Sequence, residues 1–238
     1  MDEYERDAAL IRLLEHEEPV KSIIFCRTKA EVDRISTVLV SQGYSAKGLH
    51  GDIEQRQRES IIRSFKAGQL ETLVATDVAA RGLDVQDVSH VFNYHIPFES
   101  EQYVHRIGRT GRAGRTGIAI SLITPREFRS LQRIQQKVGK KIDFETVPTI
   151  RDIKERKTSV LVKNIQKQKV DETACNMVEQ LKEEYDLSTI AYKMASLLAH
   201  YEGESGNIGK NHQDMERISR QGGSYGGGGG RGGRGGGG

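Results

Sequence analysis

The chain has 238 residues, enough for one well-buried domain plus extensions or for two small domains, and its 36% hydrophobic and 29% charged residues are ordinary for a soluble protein. No apolar run approaches the roughly 18 residues that span a bilayer, and no signal-peptide pattern opens the sequence, so we expect a cytoplasmic protein without membrane contact. The only cysteines, Cys26 and Cys175, give neither a disulfide framework nor metal-ligand spacing, and we expect no metal site. The net charge of +3 is too small to indicate a partner.

Residues 1–150 alternate short apolar runs with amphipathic helices. The first helix carries Leu10 and Leu14 and ends before Pro19. Helices of this length between strands need crossover connections, which build a parallel sheet covered on both faces. The predicted fold class is therefore α/β, with ligands expected at the carboxyl ends of the strands. The predicted strands are 22–26, 45–49, 70–75, 88–93 and 117–123, and the helices between them are 30–39 and a segment ending at Gly68.

A helix is predicted from Pro125 to about Val138, followed by an apolar run at 142–147. Residues 151–169 are rich in lysine and arginine, with 160–162 (VLV) as their only compact apolar group.

Two amphipathic helices are predicted within residues 170–201, with Ser188 as the cap of the second. Two short helices cannot bury both apolar stripes alone, so they pack on the main domain, on each other or on a second copy of the chain. Beyond Gly203 the apolar content falls, and from Gly222 the chain is mostly glycine, which predicts disorder.

The run 105–112 (HRIGRTGR) combines three arginines and a histidine with glycines. Arginine keeps its charge and binds phosphate oxygens in pairs, and Arg109 and Arg112 have the spacing of neighbours on one helical turn. This pattern favours a highly negative ligand such as a nucleotide triphosphate. A solvated basic turn is the alternative for an isolated run of this kind.

Three further polar clusters follow predicted strands. Residues 75–84 (ATDVAARGLD) mix small side chains with a carboxylate, Asp84, that suits a ribose diol; Thr76 or Asp77 could instead be a helix cap. Residues 50–58 (HGDIEQRQR) enter a helix whose amides favour phosphate, although Asp52 could be a cap and the arginines a solvated face. Residues 25–28 (FCRT) place a hydroxyl after the first strand.

Together these four clusters resemble, in order and spacing, the motifs of the C-terminal helicase domain of DEAD-box RNA helicases, over roughly residues 20–125. The resemblance implies a RecA-like domain, the second of two that enclose ATP and RNA. It implies that Arg109 and Arg112 are arginine fingers on the γ-phosphate and that Asp84 contacts the ribose. His105 would act beside them as a catalytic residue.

The resemblance also implies that His105 and Gln55 connect the nucleotide and RNA sites, and that Arg81 helps to organise contacts between domains and to bind the nucleotide. The residues expected to hold the RNA sugar-phosphate backbone are Thr28, Gly51, Gln55, Arg58 and Thr76. Such contacts carry no base information, so binding should be largely independent of sequence. One departure is His95, where many family members carry aspartate; it could alter the linkage between the two sites.

The 238 residues contain no G-x-x-x-x-G-K-[ST] loop and no Asp-Glu-Ala-Asp run. In this family those motifs belong to the first RecA-like domain, which binds ATP with Mg²⁺. We therefore expect a fragment that needs its N-terminal RecA-like domain as partner and has no ATPase alone. A non-catalytic RNA-binding or scaffold module is the second hypothesis, and a DNA helicase of the same superfamily is disfavoured by the DEAD-type motifs.

The expected division is 1–150 for the helicase domain, 151–202 for a basic segment and helical extension, and 203–238 for a tail. The extension resembles, more faintly, that of bacterial cold-shock-type members, some of which dimerise, so residues 170–201 are either a homodimer contact or helices packed on the core. Arg231 and Arg234 lie in Arg-Gly-Gly repeats that resemble RNA-binding tails; a simple spacer is the alternative.

Overall fold

The computed structural model describes residues 1–80, 85, 88–111, 114, 116–139 and 141–205, with side chains described up to 199. Short 3₁₀ turns cover Glu3–Glu5 and Pro125–Glu127. The strands are β1 (Ser22–Cys26), β2 (Ala46–Leu49), β3 (Thr72–Thr76), β4 (His90–Asn93) and β5 (Ile118–Ser121). The helices are α1 (Arg6–Glu17), α2 (Lys29–Ser41), α3 (Gln55–Lys66), α4 (Asp77–Ala80), α5 (Ser100–Ile107), α6 (Phe128–Val138), α7 (Ile150–Lys167), α8 (Glu172–Leu181) and α9 (Leu187–Ser205).

The described strands form one parallel sheet in the order β2-β3-β1-β4-β5, which confirms the predicted α/β class. All five residues of the central strand β1 are buried. Because side chains alternate across a strand, Ile24 and Cys26 pack with α1 and α2, whereas Ile23 and Phe25 pack with α3 and α4 on the opposite face. The sheet is thus covered on both sides, as in RecA-like domains.

A third apolar cluster joins α5 to α6 beyond the carboxyl end of the sheet. Tyr103 of α5 packs there with Leu131 and Ile134 of α6 and with Ile96 of the segment after β4. This cluster fixes α5, the helix that carries the first half of the 105–112 run.

The basic stretch after residue 150 forms α7, a helix that the sequence analysis did not predict. Thr149 caps it: its hydroxyl accepts from the Asp152 amide, and the Asp152 carboxylate accepts from the Thr149 amide at 2.7 Å. Ile153, 2% exposed, is buried where α7 contacts α1. The predicted apolar run at 142–147 has no regular secondary structure, although Ile142 and Val147 pack against the apolar clusters.

The two amphipathic helices predicted for 170–201 are confirmed as α8 and α9, with one correction to a cap. The carboxylate of Asp186 accepts from the Thr189 amide at 2.7 Å, so Asp186, and not Ser188, caps α9. No residue of α8 is buried, and the described side chains of α9 bury only Ile190. Among the residues that the structure describes, no helix is long and apolar enough to cross a membrane.

Candidate functional site at the carboxyl end of the sheet

The central strands end side by side, because Phe25 pairs with Ala75 on one side and with Asn93 on the other. The segments that follow β1, β3 and β4 therefore leave the sheet at the same edge. This register brings together Thr28, the Thr76–Asp77 step and His95, residues that are far apart in the sequence. The sheet therefore places these polar segments together at its carboxyl edge, as predicted from the sequence.

Arg106 is the buried centre of this edge, with 3% of its surface exposed. Its guanidinium donates two hydrogen bonds to Asp77, at 2.6 and 2.7 Å, in the bidentate geometry of a strong ion pair. Another nitrogen donates to the Asn93 side chain at 2.9 Å and to the His95 carbonyl at 2.7 Å. Arg106 thus ties α5 to the ends of β3 and β4.

No separate role is predicted for Arg106 from the sequence, and Asp77 is a candidate helix cap. The structure corrects that alternative: the Asp77 carboxylate pairs with Arg106. The sequence feature that could have predicted the burial of Arg106 is its three-residue spacing from Tyr103, which puts both side chains on the buried face of α5. An arginine on a buried face needs an acidic partner, since an unpaired buried charge is very costly.

Arg109 lies in a turn after α5, because the helix ends at Ile107. The helical turn predicted from the spacing of Arg109 and Arg112 is therefore wrong at Arg109. Its amide donates to the Arg106 carbonyl at 3.1 Å, its carbonyl accepts from the Val88 amide at 3.3 Å, and its guanidinium donates to the Val85 carbonyl at 3.3 Å. The Thr110 hydroxyl donates to the Val88 carbonyl at 2.5 Å. The turn is therefore fastened to the segment that enters β4.

Gly117 is the close neighbour of this turn. A Cβ atom at position 117 would lie 2.2 Å from the Gly111 nitrogen and 2.2 Å from the Thr110 hydroxyl oxygen. No side chain fits there without displacing the turn, so glycine is required by the close approach of two backbone segments.

A cavity of about 280 Å³ opens beside the turn. Two of its lining side chains come from the 105–112 run, the exposed His105 and the half-buried Arg109, and the buried Arg106 lines it together with Asp77. The full lining is Phe25, Asp77, Ala80, Gln102, His105, Arg106 and Arg109. A concave site lined by basic side chains can accept an anionic group.

The expected RNA contacts Thr28, Arg58 and Thr76 all hold local structure as well. The Thr28 hydroxyl accepts from the Glu31 amide at 3.2 Å and caps α2, and Thr28 itself is exposed. The Thr76 hydroxyl is buried and accepts from the Ala79 amide at 3.4 Å, which is the helix-cap alternative. The Arg58 guanidinium donates to the Ala79 carbonyl at 2.6 Å and links α3 to α4.

The 50–58 cluster forms the exposed turn into α3. Gly51 and Gln55 are exposed, and the Gln55 amide donates to Glu59 at 2.8 Å. The carboxylate of Asp52 pairs with Lys29, so Asp52 is not the helix cap that the sequence left possible, and this hydrogen bond lowers its pKa. This pairing brings the turn next to the start of α2.

His95 is buried at the end of β4 and both ring nitrogens face carboxylates. Nε2 lies 2.8 Å from Glu31 Oε1 and Nδ1 lies 3.3 Å from Glu127 Oε1. Burial alone would raise the pKa of either carboxyl group, but hydrogen bonds, with that from His95 the strongest, lower both pKa values to about 2.

Five of the expected site residues lie outside the described residues: Arg81, Asp84, Arg112, Arg231 and Arg234. Whether Arg109 and Arg112 share one face therefore stays a prediction. In the part of the chain that the structure describes, no group of three or more His, Cys, Asp or Glu side chains could hold a metal ion.

Residues 5–114 match the family model described as the helicase conserved C-terminal domain. The chain is 44% identical over 218 residues to the DEAD-box ATP-dependent RNA helicase RhpA of Helicobacter pylori, an alignment that covers 92% of this chain. The chain spans 42% of the length of that relative.

Two solved structures are similar over most of the described domain. The DEAD-box protein SrmB of E. coli, bound to the regulator of ribonuclease activity A, is 37% identical with a TM-score of 0.55, and the match covers 64% of this chain and 89% of that one. A variant of S. cerevisiae Dbp5 bound to RNA and ADP BeF3 is 36% identical with a TM-score of 0.56, covering 65% of this chain and 41% of that one.

Proposed function

Since this chain belongs to the DEAD-box RNA helicases and contains their C-terminal RecA-like domain, we propose that it supplies one half of an ATP-dependent RNA helicase site. The other half is an N-terminal RecA-like domain that holds ATP and Mg²⁺. ATP draws the two domains together over RNA, and one strand is bent so that its partner is released. The observation that carries the proposal is the basic cavity beside the Arg109 turn, next to the ends of the central strands.

On the nucleotide side, we propose that Arg109 and Arg112 act as arginine fingers and that Asp84 contacts the ribose, with His105 and Arg81 beside them. What supports a role for Arg109 is its preorganisation, because a turn held by the Val85 and Val88 carbonyls loses little freedom when a phosphate binds. Arginine fingers contribute about 10³–10⁵ to turnover in phosphoryl-transfer enzymes.

On the RNA side, the proposed contacts are Thr28, Gly51, Gln55, Arg58 and Thr76. Thr28 and Gly51 support this role best, because both are exposed on neighbouring turns that the Lys29–Asp52 pair holds together. Hydroxyl, amide and guanidinium groups suit sugar-phosphate binding without base preference. The Dbp5 neighbour was solved with RNA and a nucleotide analogue, which agrees with a joint site. Arg231 and Arg234 would add weakly basic contacts to RNA.

We further propose that residues 151–202 form an extension beside the 1–150 domain and that α8 and α9 join two copies of the chain. The support is the exposure of their apolar side chains: Met177 is 50% exposed, Tyr192 75% and Leu197 58%. A second copy would cover them without any further partner.

The test joins this chain to an N-terminal RecA-like domain and measures RNA-stimulated ATP hydrolysis. We expect Arg109→Ala and Arg112→Ala each to lower kcat by about 10³ or more. Arg133→Ala, an exposed arginine of α6, is the matched control and should keep full activity. The 238-residue chain alone should not hydrolyse ATP.

Unchanged kcat in both finger variants would contradict the proposed role of the turn. If the joined protein binds RNA but never hydrolyses ATP, the non-catalytic RNA-binding module becomes the better description.

A further inference from the structure

The two carboxylates around His95 require two protons on its ring. An ionised carboxylate only accepts hydrogen bonds, whereas a neutral imidazole has one donor and one acceptor. Glu31 lies 2.8 Å from Nε2 and Glu127 lies 3.3 Å from Nδ1. Both contacts are favourable together only when the ring is an imidazolium.

The charges packed around His95 balance only with that extra proton. The acidic groups are Glu3 from the first 3₁₀ turn, Glu31 from α2 and Glu127 from the second 3₁₀ turn. The arginines among them are the buried Arg6, which pairs with Glu3 and Glu127, and Arg27, which reaches Glu127 at 3.4 Å.

A protonated His95 makes three cations for these three carboxylates. Beyond this cluster, Arg106 donates to the His95 carbonyl, but Asp77 already neutralises Arg106. The ring edge of His95 also meets Tyr94, whose hydroxyl donates to Asp7 at 2.5 Å and accepts from Arg34 at 3.1 Å.

Glu31 connects His95 to the turn that carries Thr28. Its second oxygen, Oε2, accepts from the Arg27 amide at 3.0 Å and from the Thr28 amide at 2.9 Å. Glu127 holds the same turn through the Arg27 side chain. Loss of the proton from either ring nitrogen removes the hydrogen bond from His95 to one of the two carboxylates, Glu31 or Glu127, that hold this turn.

We propose that protonated His95 is a positioning residue for RNA binding, which holds the Arg27–Thr28 turn through Glu31 and Glu127 and releases it when the proton leaves. The inference rests on the proposed function, from which the contact between Thr28 and RNA comes. RNA affinity should then fall as pH rises through the titration of His95, because the loosened turn and the added negative charge both disfavour a polyanion. The histidine at this position would make RNA binding pH-dependent where an aspartate would not.

The environment of His95 supports this sign. Burial lowers the pKa of the ring, but hydrogen bonds to Glu127 and Glu31 outweigh burial and raise the pKa above its ordinary 6.5. At pH 6.5 the His95 ring is thus more fully protonated in the folded chain than in the unfolded one, and it loses this proton as pH rises through the higher folded pKa.

The experiment has two readouts on the 238-residue chain. NMR follows the His95 ring and the amides of Arg27 and Thr28 from pH 6 to 9, and these signals should titrate with one midpoint. Fluorescence anisotropy with a labelled ten-nucleotide oligoadenylate at low salt gives Kd over the same range. We expect binding to weaken by about threefold to tenfold across the midpoint, as for a modest coupling between proton and RNA binding.

His95→Gln removes the titrating group and should bind RNA with the weak, high-pH affinity of the parent at every pH. His16→Gln is the matched control: it removes a histidine that also pairs with a glutamate, at the far end of α1, and should keep the parent profile.

If the Arg27 and Thr28 amides ignore the His95 midpoint, or His95→Gln keeps the parent's pH profile, the inference is wrong while the proposed function stands. If oligoadenylate does not bind at any pH, or Thr28→Ala binds it as well as the parent at pH 6, the proposed RNA contact is wrong and the inference falls with it. The NMR titration uses the unaltered chain. It therefore tests the link between His95 and the Arg27–Thr28 turn even if His95→Gln does not fold.

Discussion

At the residue scale, Arg106 shows how one side chain can belong to a ligand-binding run and yet serve the interior. Its guanidinium donates to the Asp77 carboxylate, the Asn93 side chain and the His95 carbonyl, and it lies over the Phe25 ring at 5.1 Å. A buried guanidinium is tolerated because its charge is paired and its donors are occupied.

Arg106→Met tests this interior role. The variant removes the fork and leaves Asp77 without its partner, so we expect the free energy of unfolding to fall by about 3 kcal/mol, the lower end for a broken buried pair because Asp77 is partly exposed. Urea denaturation followed by circular dichroism measures the loss.

Arg133→Met, on the exposed face of α6, should change stability by less than about 0.5 kcal/mol. A loss below about 1 kcal/mol for Arg106→Met would show that the buried pair contributes little.

The positions of the polar clusters after predicted strands indicated that they gather at the carboxyl end of the sheet, but not the role of Arg106. Its burial depends on α5 packing against β4 and α6, and its carboxylate partner, just after β3, lies 29 positions earlier. Local spacing carries no information on such a contact. The His95 cluster was equally hidden, because Glu3, Glu31 and Glu127 come from three separate elements.

At the scale of elements, the buried strands were the easiest to predict. A run such as SIIFC has no polar face, and β1 is buried along its whole length. The ends moved by one or two residues, as at β4, which begins at His90 because Val88 only bridges to Thr110.

Helix α7 was not predicted from the sequence, because its apolar residues form no regular stripe and only Ile153 is buried. The local signal was the capping box formed by Thr149 and Asp152. A helix with so little buried surface should depend strongly on its ends.

Thr149→Ala tests the dependence of α7 on its cap. The substitution removes both hydrogen bonds of the Thr149 hydroxyl, from the Asp152 amide and to the Asp152 carboxylate, and should cost about 1 kcal/mol. Hydrogen exchange of the α7 amides should become faster by about fivefold.

Thr158→Ala is the control, since Thr158 lies exposed in the middle of the same helix and alanine is the better helix former. If both variants exchange like the parent, the capping box does not limit opening of α7.

At the scale of the whole molecule, the 1–150 domain and the helices after it bury their apolar residues very differently. The domain fills both faces of its sheet, whereas α8 and α9 leave Met177, Leu197 and Leu198 between 41% and 58% exposed. The sequence predicted these helices from periodicity, but periodicity alone does not say what covers an apolar stripe.

If α8 and α9 join two copies, sedimentation equilibrium should give twice the mass of one chain. Leu197→Glu would place a charge in that contact, and we expect the dimer Kd to rise at least tenfold.

Val20→Glu is the control, because Val20 is 84% exposed in the loop before β1 and lies outside these helices. A monomer at every concentration, for the parent as for Leu197→Glu, would show that α8 and α9 do not join two copies of the chain.

The tight approach at Gly117 has a consequence for how tolerance to mutation is interpreted. In a saturation library, nearly every replacement at 117 should be lost, although position 117 has no proposed ligand contact. That intolerance would reflect crowding behind the Thr110–Gly111 backbone. A map of mutational tolerance would therefore show position 117 in the same way as a residue of a binding surface. Its role is instead to let two main-chain segments lie close together.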